Sequence, residues 1–214
     1  MTGSLSRRGR DRRRLGAMLA AAPVALLSPR WAMAGAQVEE PLIDAVRTAL
    51  AAAVSDTAPP RPEFGTIEAR LAYLRWLGEM SHRLKSRKAE TAIRLEFLQT
   101  LWYESKRAGL EPALVLGLVQ VESGFRKYAI SSVGARGYMQ VMPFWVRLIG
   151  DGNPGHLFHL QTNLRFGCVI MRHYLDREKG DLFLALGRYN GSRGRAEYPN
   201  AVFASRKLWD DRSA

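Results

Sequence analysis

The sequence has 214 residues, 47% hydrophobic and 24% charged, which suits one domain with a packed core and a hydrated surface. The formal charge is +12, but seven arginines and one aspartate fall in the first 36 residues, leaving about +6 elsewhere; such a remainder is drawn to polyanions (cell wall, nucleic acid or acidic lipid) without choosing among them. One cysteine, Cys168, excludes an internal disulfide framework, and His82, His156, His159 and His173 show no ligand spacing, so neither metal nor cofactor is expected.

Residues 1–36 read as a secretory signal: an arginine-rich start, a stretch rich in Ala and Leu from Leu15 to Ser28, then small residues. Ala34-Gly35-Ala36 suits cleavage after Ala36, and Ala32-Met33-Ala34 suits cleavage after Ala34. Arg12-Arg13-Arg14-Leu15-Gly16 points to the twin-arginine route as an alternative to the Sec route. A transit peptide or an uncleaved anchor competes with this reading, but the apolar run is short and Pro23 interrupts it. The expectation is an exported, periplasmic protein, soluble once processed.

After residue 37 nearly every segment predicts helix. Pro41 suits a first turn, followed by Leu42, Val46, Leu50 and Val54 on one face. The stretch 57–65, with Pro59, Pro60 and Pro62, reads as a linker. Ile67, Leu71, Leu74, Leu77 and Leu84 form a second apolar stripe, and Ile93, Phe97 and Leu101 a third; core packing is expected for all three. Pro112 opens a helix that is apolar on every side through Val119, so it should be buried. Gly134 and Gly137 interrupt residues 131–142, leaving a loop or small hairpin. Further helices are expected from Pro143, from Thr162-Asn163, from Asp181, and from Pro199 to Trp209.

The chemistry concentrates at Glu122, a carboxyl at the end of the wholly apolar helix. Burial without a cationic partner favours the protonated form of a carboxyl, the state a general acid needs to cleave a glycosidic bond. A glutamate at a helix end also commonly turns into solvent. Its neighbours decide between the two readings. Glu122-Ser123-Gly124-Phe125 is followed by Gly137-Tyr138-Met139-Gln140-Val141-Met142-Pro143, and later by Arg188-Tyr189-Asn190-Gly191. Over roughly residues 95–205 this resembles the soluble lytic transglycosylase (SLT) family, marked by Glu-Ser, then Gly-Leu-Met-Gln, then Ala-Tyr-Asn. Tyr138 and Arg188 depart from that pattern. Arg188 would alter contacts with an anionic stem peptide.

The resemblance implies a mainly α, lysozyme-like domain with a minor loop or short β region over residues 89–214. An N-terminal helical extension, residues 37–88, would precede it. It implies that Glu122 is the catalytic acid/base and that Ser131 lies near the N-acetyl group of the muramoyl unit. Gln140 and Met142 would line the glycan cleft, with Tyr189 facing the catalytic carboxyl and Asn190 beside it. Ser123 is a candidate substrate contact that equally suits a hydrogen bond at the helix end. Met142 equally suits the core, and Asn190 a helix C-terminus. Ordinary glycosidases use two carboxyls, whereas the motif blocks here contain one. Asp151, Asp176, Asp181 and Glu197 lie outside them, in positions suited to surface or capping roles.

The implied reaction is therefore non-hydrolytic. Glu122 would protonate the oxygen of the MurNAc–GlcNAc β-1,4 bond, then accept the proton of the muramoyl C6 hydroxyl as it attacks the anomeric carbon. Peptidoglycan glycan strands are the expected partner, in general wall turnover or within a wall-spanning or secretion assembly. The competing readings are a goose-type-lysozyme-like hydrolase, an inactive wall-binding module, and a basic nucleic-acid-binding protein. The last is disfavoured because the arginines cluster in the leader and no basic-aromatic platform follows.

Overall fold

A computed structural model describes residues 37–42, 44–55 and 61–210. The expected signal segment, and Pro59 and Pro60 of the expected linker, lie outside the described residues. Eight α-helices are described: α1 (Asp44–Ser55), α2 (Ile67–Leu84), α3 (Thr91–Arg107), α4 (Pro112–Ser123), α5 (Pro143–Ile149), α6 (Leu160–Arg177), α7 (Leu182–Asn190) and α8 (Glu197–Lys207). A 3-10 turn, Pro154–Phe158, precedes α6. The only β character among the described residues is a pair of antiparallel bridges, Ile130 with Arg136 and Arg136 with Val141. The mainly α expectation with a short β region is met.

Local chemistry starts and stops these helices. Thr66 caps α2 by accepting from the Ala69 N–H at 3.1 Å, and Asp181 caps α7 by accepting from the Leu184 N–H at 2.9 Å. Pro112 begins α4, where its missing N–H costs nothing, and Gly124 ends it in the left-handed conformation, φ 56°. Helix α4 is buried on almost every side, as its apolar sequence requires. It packs against α3 and α8.

The close contact of α4 with α8 depends on Gly117. A Cβ there would meet the Arg206 backbone N at 2.9 Å and the Val202 carbonyl at 3.2 Å. Since these are backbone atoms, any larger residue would force the helices apart. Helix α3 also packs on α6. There Arg165 donates twice to Glu104, at 2.7 and 3.1 Å, with both side chains buried. Helix α1 lies against α5 and α6, and α2 against α3.

Two expected stripes are corrected. Ile67, Leu71 and Leu74 face outward, Ile67 being 73% exposed. The buried face of α2 is instead Tyr73, Trp76, Leu77, Met80 and Leu84. The rings of Phe64, Tyr73 and Trp102 form the packing that sets this rotation: large aromatics bury more area than the aliphatic residues they displace from the core face. Ile93 is likewise exposed, while Phe97 and Leu101 are fully buried. Helix α6 begins at Leu160, two residues ahead of the expected start, and α8 at Glu197 rather than Pro199.

Candidate active site

Glu122 sits one residue before the end of α4 and is only 5% exposed. Its Oε1 accepts a hydrogen bond from the Tyr198 hydroxyl of α8. Burial, reinforced by the Glu122 carboxyl itself, pushes the Tyr198 phenol well above its ordinary range, so it remains a donor. Tyr198 did not stand out in the sequence. It lies 76 residues from Glu122, outside the three motif blocks, and no local pattern links the two. The pairing follows from the close α4–α8 packing that Gly117 permits.

A cleft of about 1040 Å³ opens over this carboxyl, at the upper end of the ~300–1,000 Å³ typical of small-molecule sites. Glu122, Ser123, Ser131 and Gln140 all line it. Among the described residues, Glu122 is the only acidic side chain on that lining. Ser123 donates to the Val119 carbonyl at 3.1 Å, the helix-end bond its position suggested. Ser131 accepts from the Ala135 N–H at 3.0 Å, and its own N–H donates to the Ala135 carbonyl at 3.0 Å. Gln140 has φ 47°, an uncommon backbone conformation for a residue with a side chain. Its Nε2 donates to the carbonyls of Gly137 at 2.9 Å and Ala129 at 3.1 Å.

Asn163, in the first turn of α6, holds this loop. Its Oδ1 accepts from the Met139 N–H at 2.8 Å, and its Nδ2 donates to the carbonyls of Leu157 and Arg136 at 2.8 and 2.9 Å. Gly137 lets the amide approach: at φ 75° a Cβ would lie 2.3 Å from the Asn163 Nδ2. Sequence reasoning marked Asn163 only as a helix start, since a buried asparagine bonding two distant segments has no sequence signature.

Met142, Tyr189 and Asn190 do not line the cleft. Tyr189 is fully buried behind it and donates to the Met139 carbonyl at 2.8 Å. Burial raises its phenol pKa foremost, and the Glu122 carboxyl adds to that. Asn190 donates to Ser192 at 3.0 Å and directly precedes Gly191, the left-handed residue that ends α7. The Met142 N–H donates to the buried Gln37 Oε1 at 3.4 Å.

Gln37 belongs to an N-terminal strap that the sequence reading left without a role. Further along it, Glu40 accepts from Arg188 at 3.0 Å and from Arg177. Arg188 also donates to Glu178, and Arg193 pairs with Glu178 at 2.8 Å. Arg188 is therefore occupied by this chain's own carboxylates and is absent from the cleft lining, unlike the stem-peptide role its sequence position suggested.

The remaining acids behave as their positions implied. Asp151 binds the Asn153 N–H at 3.0 Å and His156 at 2.5 Å, Asp176 pairs with Arg172, Asp181 caps α7, and Glu197 is exposed. Cys168 is buried and its thiol pKa is driven up by burial, away from reactivity. Among the described residues no three metal-ligating side chains come together, and no helix is long and apolar enough to cross a membrane.

Residues 100–209 match the model of the family described as the Transglycosylase SLT domain. A "Transglycosylase" of Enterobacteria phage PRD1 is 35% identical over 104 residues, covering 49% of this chain and 38% of the phage protein. "Membrane-bound lytic murein transglycosylase C" of Actinobacillus pleuropneumoniae serotype 5b is 34% identical over 84 residues, covering 36% of this chain and 23% of that protein. The matches thus span well under half of these relatives' own lengths. Among solved structures, an inactive variant of lytic transglycosylase Slt from Pseudomonas aeruginosa is 22% identical with a TM-score of 0.43, covering 65% of this chain and 27% of that one. The family match takes in both helices that carry the Glu122–Tyr198 pair and the loop between them. This chain belongs to the Transglycosylase SLT domain family.

Proposed function

We propose that the protein is a peptidoglycan lytic transglycosylase that cleaves the MurNAc–GlcNAc β-1,4 bond without consuming water. The observation that carries this reading is the lone carboxyl: Glu122 is buried on a cleft whose lining holds no second acid among the described residues. A two-carboxyl mechanism needs a partner several ångströms across the scissile bond, about 5 Å for retention and more for inversion. One carboxyl suffices when the substrate brings its own nucleophile. Glu122 first gives its proton to the leaving GlcNAc oxygen. The N-acetyl carbonyl of the muramoyl unit stabilises the electron-poor anomeric carbon, and the C6 hydroxyl then attacks it. Glu122 takes the hydroxyl proton and returns to its starting state, leaving a 1,6-anhydromuramoyl end.

The surroundings suit both halves of this cycle. Burial disfavours the charged form of a carboxyl, which supports the donating half. The Tyr198 hydroxyl, fixed on Oε1, supports the accepting half by stabilising the carboxylate left after the proton departs. Ser131 and Gln140 lie on the same lining, within the cleft that would take the sugars. Gln140 has its Nε2 committed to the loop, so it would meet glycan hydroxyls through Oε1. Met142, Tyr189 and Asn190 would act from behind this wall, by holding its shape.

Around this chemistry we place residues 1–36 as a cleaved export leader, 37–88 as a helical extension and 89–214 as the catalytic domain, working on the wall from the periplasm. Mass spectrometry of digested peptidoglycan tests the reading. Anhydromuramoyl ends from the wild type, and none from Glu122→Gln, are expected. Reducing ends would indicate a goose-type-lysozyme-like hydrolase instead, and an unimpaired Glu122→Gln would remove Glu122 from the mechanism.

A further inference from the structure

The cleft carries more than groups suited to neutral sugars. Arg87, in the turn after α2, and Arg126, two residues beyond the Gly124 cap, both line it. Arg87 lies outside the family match, so it is a contribution of this chain's N-terminal helices. Each guanidinium is oriented by one contact at the end of α4. Arg126 Nε donates to the Ser123 carbonyl at 2.9 Å, and the Arg87 Cζ stands 5.6 Å above the Phe125 ring. Neither arginine forms an ion pair among the described residues. Among the described residues the one acid on the lining is Glu122, which accepts from Tyr198. Two large apolar side chains complete the same rim, Ile130 at 64% exposure and Leu208 at 58%.

A sugar ring has no charge for two arginines to meet. A chain bearing free carboxylates and small apolar side chains matches both features. Resting on the reading of this cleft as a glycan site, we propose that Arg87 and Arg126 bind carboxylates of the peptide carried by the muramoyl unit. The preferred substrate is then peptide-bearing rather than bare glycan. Helix capping explains the Arg126 Nε, but it leaves that residue's terminal nitrogens without a role and says nothing of Arg87. Arginine suits the task because its planar fork binds carboxylates bidentately.

Two measurements on the leaderless protein test the proposal. The first compares anhydromuramoyl release from intact peptidoglycan and from the same material stripped of peptides by an amidase, with the lactyl carboxylates that this exposes capped as methyl amides. Wild type should favour the intact form, and Arg87→Ala/Arg126→Ala should lose about 10-fold or more of that preference while still cleaving bare strands. The second titrates N-acetylmuramoyl-L-alanyl-D-glutamate, or its neutral diamide, into wild type and variant. The acid should bind about 10-fold tighter than the diamide to wild type, with the gap closing in the variant and at high salt. Equal binding of acid and diamide, or a variant that keeps the full gap, overturns the proposal. A wild type that releases no anhydro ends from either material defeats the reading of Glu122, while the titration still decides the two arginines.

Discussion

Two glutamates are buried in this molecule, one against a guanidinium and one against a phenol. Glu104, between α3 and α6, is 1% exposed and receives both arms of the Arg165 guanidinium, with Arg107 3.8 Å away. Glu122, at the end of α4, is 5% exposed and receives a neutral phenol. Burial alone does not distinguish them, since both are almost fully covered. The Arg165 guanidinium ties Glu104 into a joint between α3 and α6, whereas the Tyr198 phenol holds one oxygen of Glu122 at the wall of a cleft. That cleft, of about 1040 Å³, is not lined by Glu104, which instead lines a separate cavity of about 500 Å³ between α1, α3 and α6.

Substitution of each should separate these roles. Glu122→Gln keeps the shape and can still accept from Tyr198, so the melting temperature should hold while lytic turnover falls by at least ~10²–10⁴-fold, the scale of general acid–base catalysis. Glu104→Gln should do the reverse. It leaves the Arg165 charge buried without its counter-ion, costing roughly 3–5 kcal/mol in denaturant unfolding, while activity per folded molecule persists. If Glu104→Gln instead abolished turnover at full stability, the contrast between the two carboxyls would fail.

Tyr198→Phe sharpens the comparison from the partner's side. Hydrogen bonds to charged groups are worth about 1.5–3 kcal/mol, so turnover should drop roughly 10–100-fold, measured by anhydromuramoyl release, with a smaller loss of stability. The smallest effect is expected at Glu178, which follows α6 and shares Arg188 with Glu40 of the strap. Arg193 and Arg188 hold the Glu178 carboxyl down, at about 2 against an ordinary 4.5. A depressed carboxyl stabilises the fold above its unfolded pKa, and that contribution fades as pH falls from about 4.5 toward 2. Wild type and Glu178→Gln should therefore differ in melting temperature at pH 7 and converge near pH 2. The difference should be modest, because Arg193 is half exposed and solvent screens it.

Helix existence was legible wherever a start signal met an apolar run, as at Pro112, Pro143 and Asp181. The rotation of a helix was not. Ile67, Leu71 and Leu74 satisfy a helical period as well as Tyr73, Trp76 and Met80 do, and only the position of Phe64 and Trp102 selects the second set. The site divides the same way. Glu122, Ser123, Ser131 and Gln140 stood out through their motifs and share one lining. Tyr198, Asn163 and the Gln37–Glu40 strap did not, because each acts on residues far away along the chain.

The order of residues alone determined that this chain is helical, that α4 is buried, and that its one reactive candidate is the carboxyl at that helix's end. These follow from periodicity, capping and motif spacing, all properties of neighbouring residues. Tertiary structure decided which phenol meets that carboxyl, which loop amides are tied down, and that Arg188 is held by Glu40 rather than directed at a ligand. Such contacts depend on how closely two helices approach and how they are turned, which is set by the packing of the whole core rather than by any single segment.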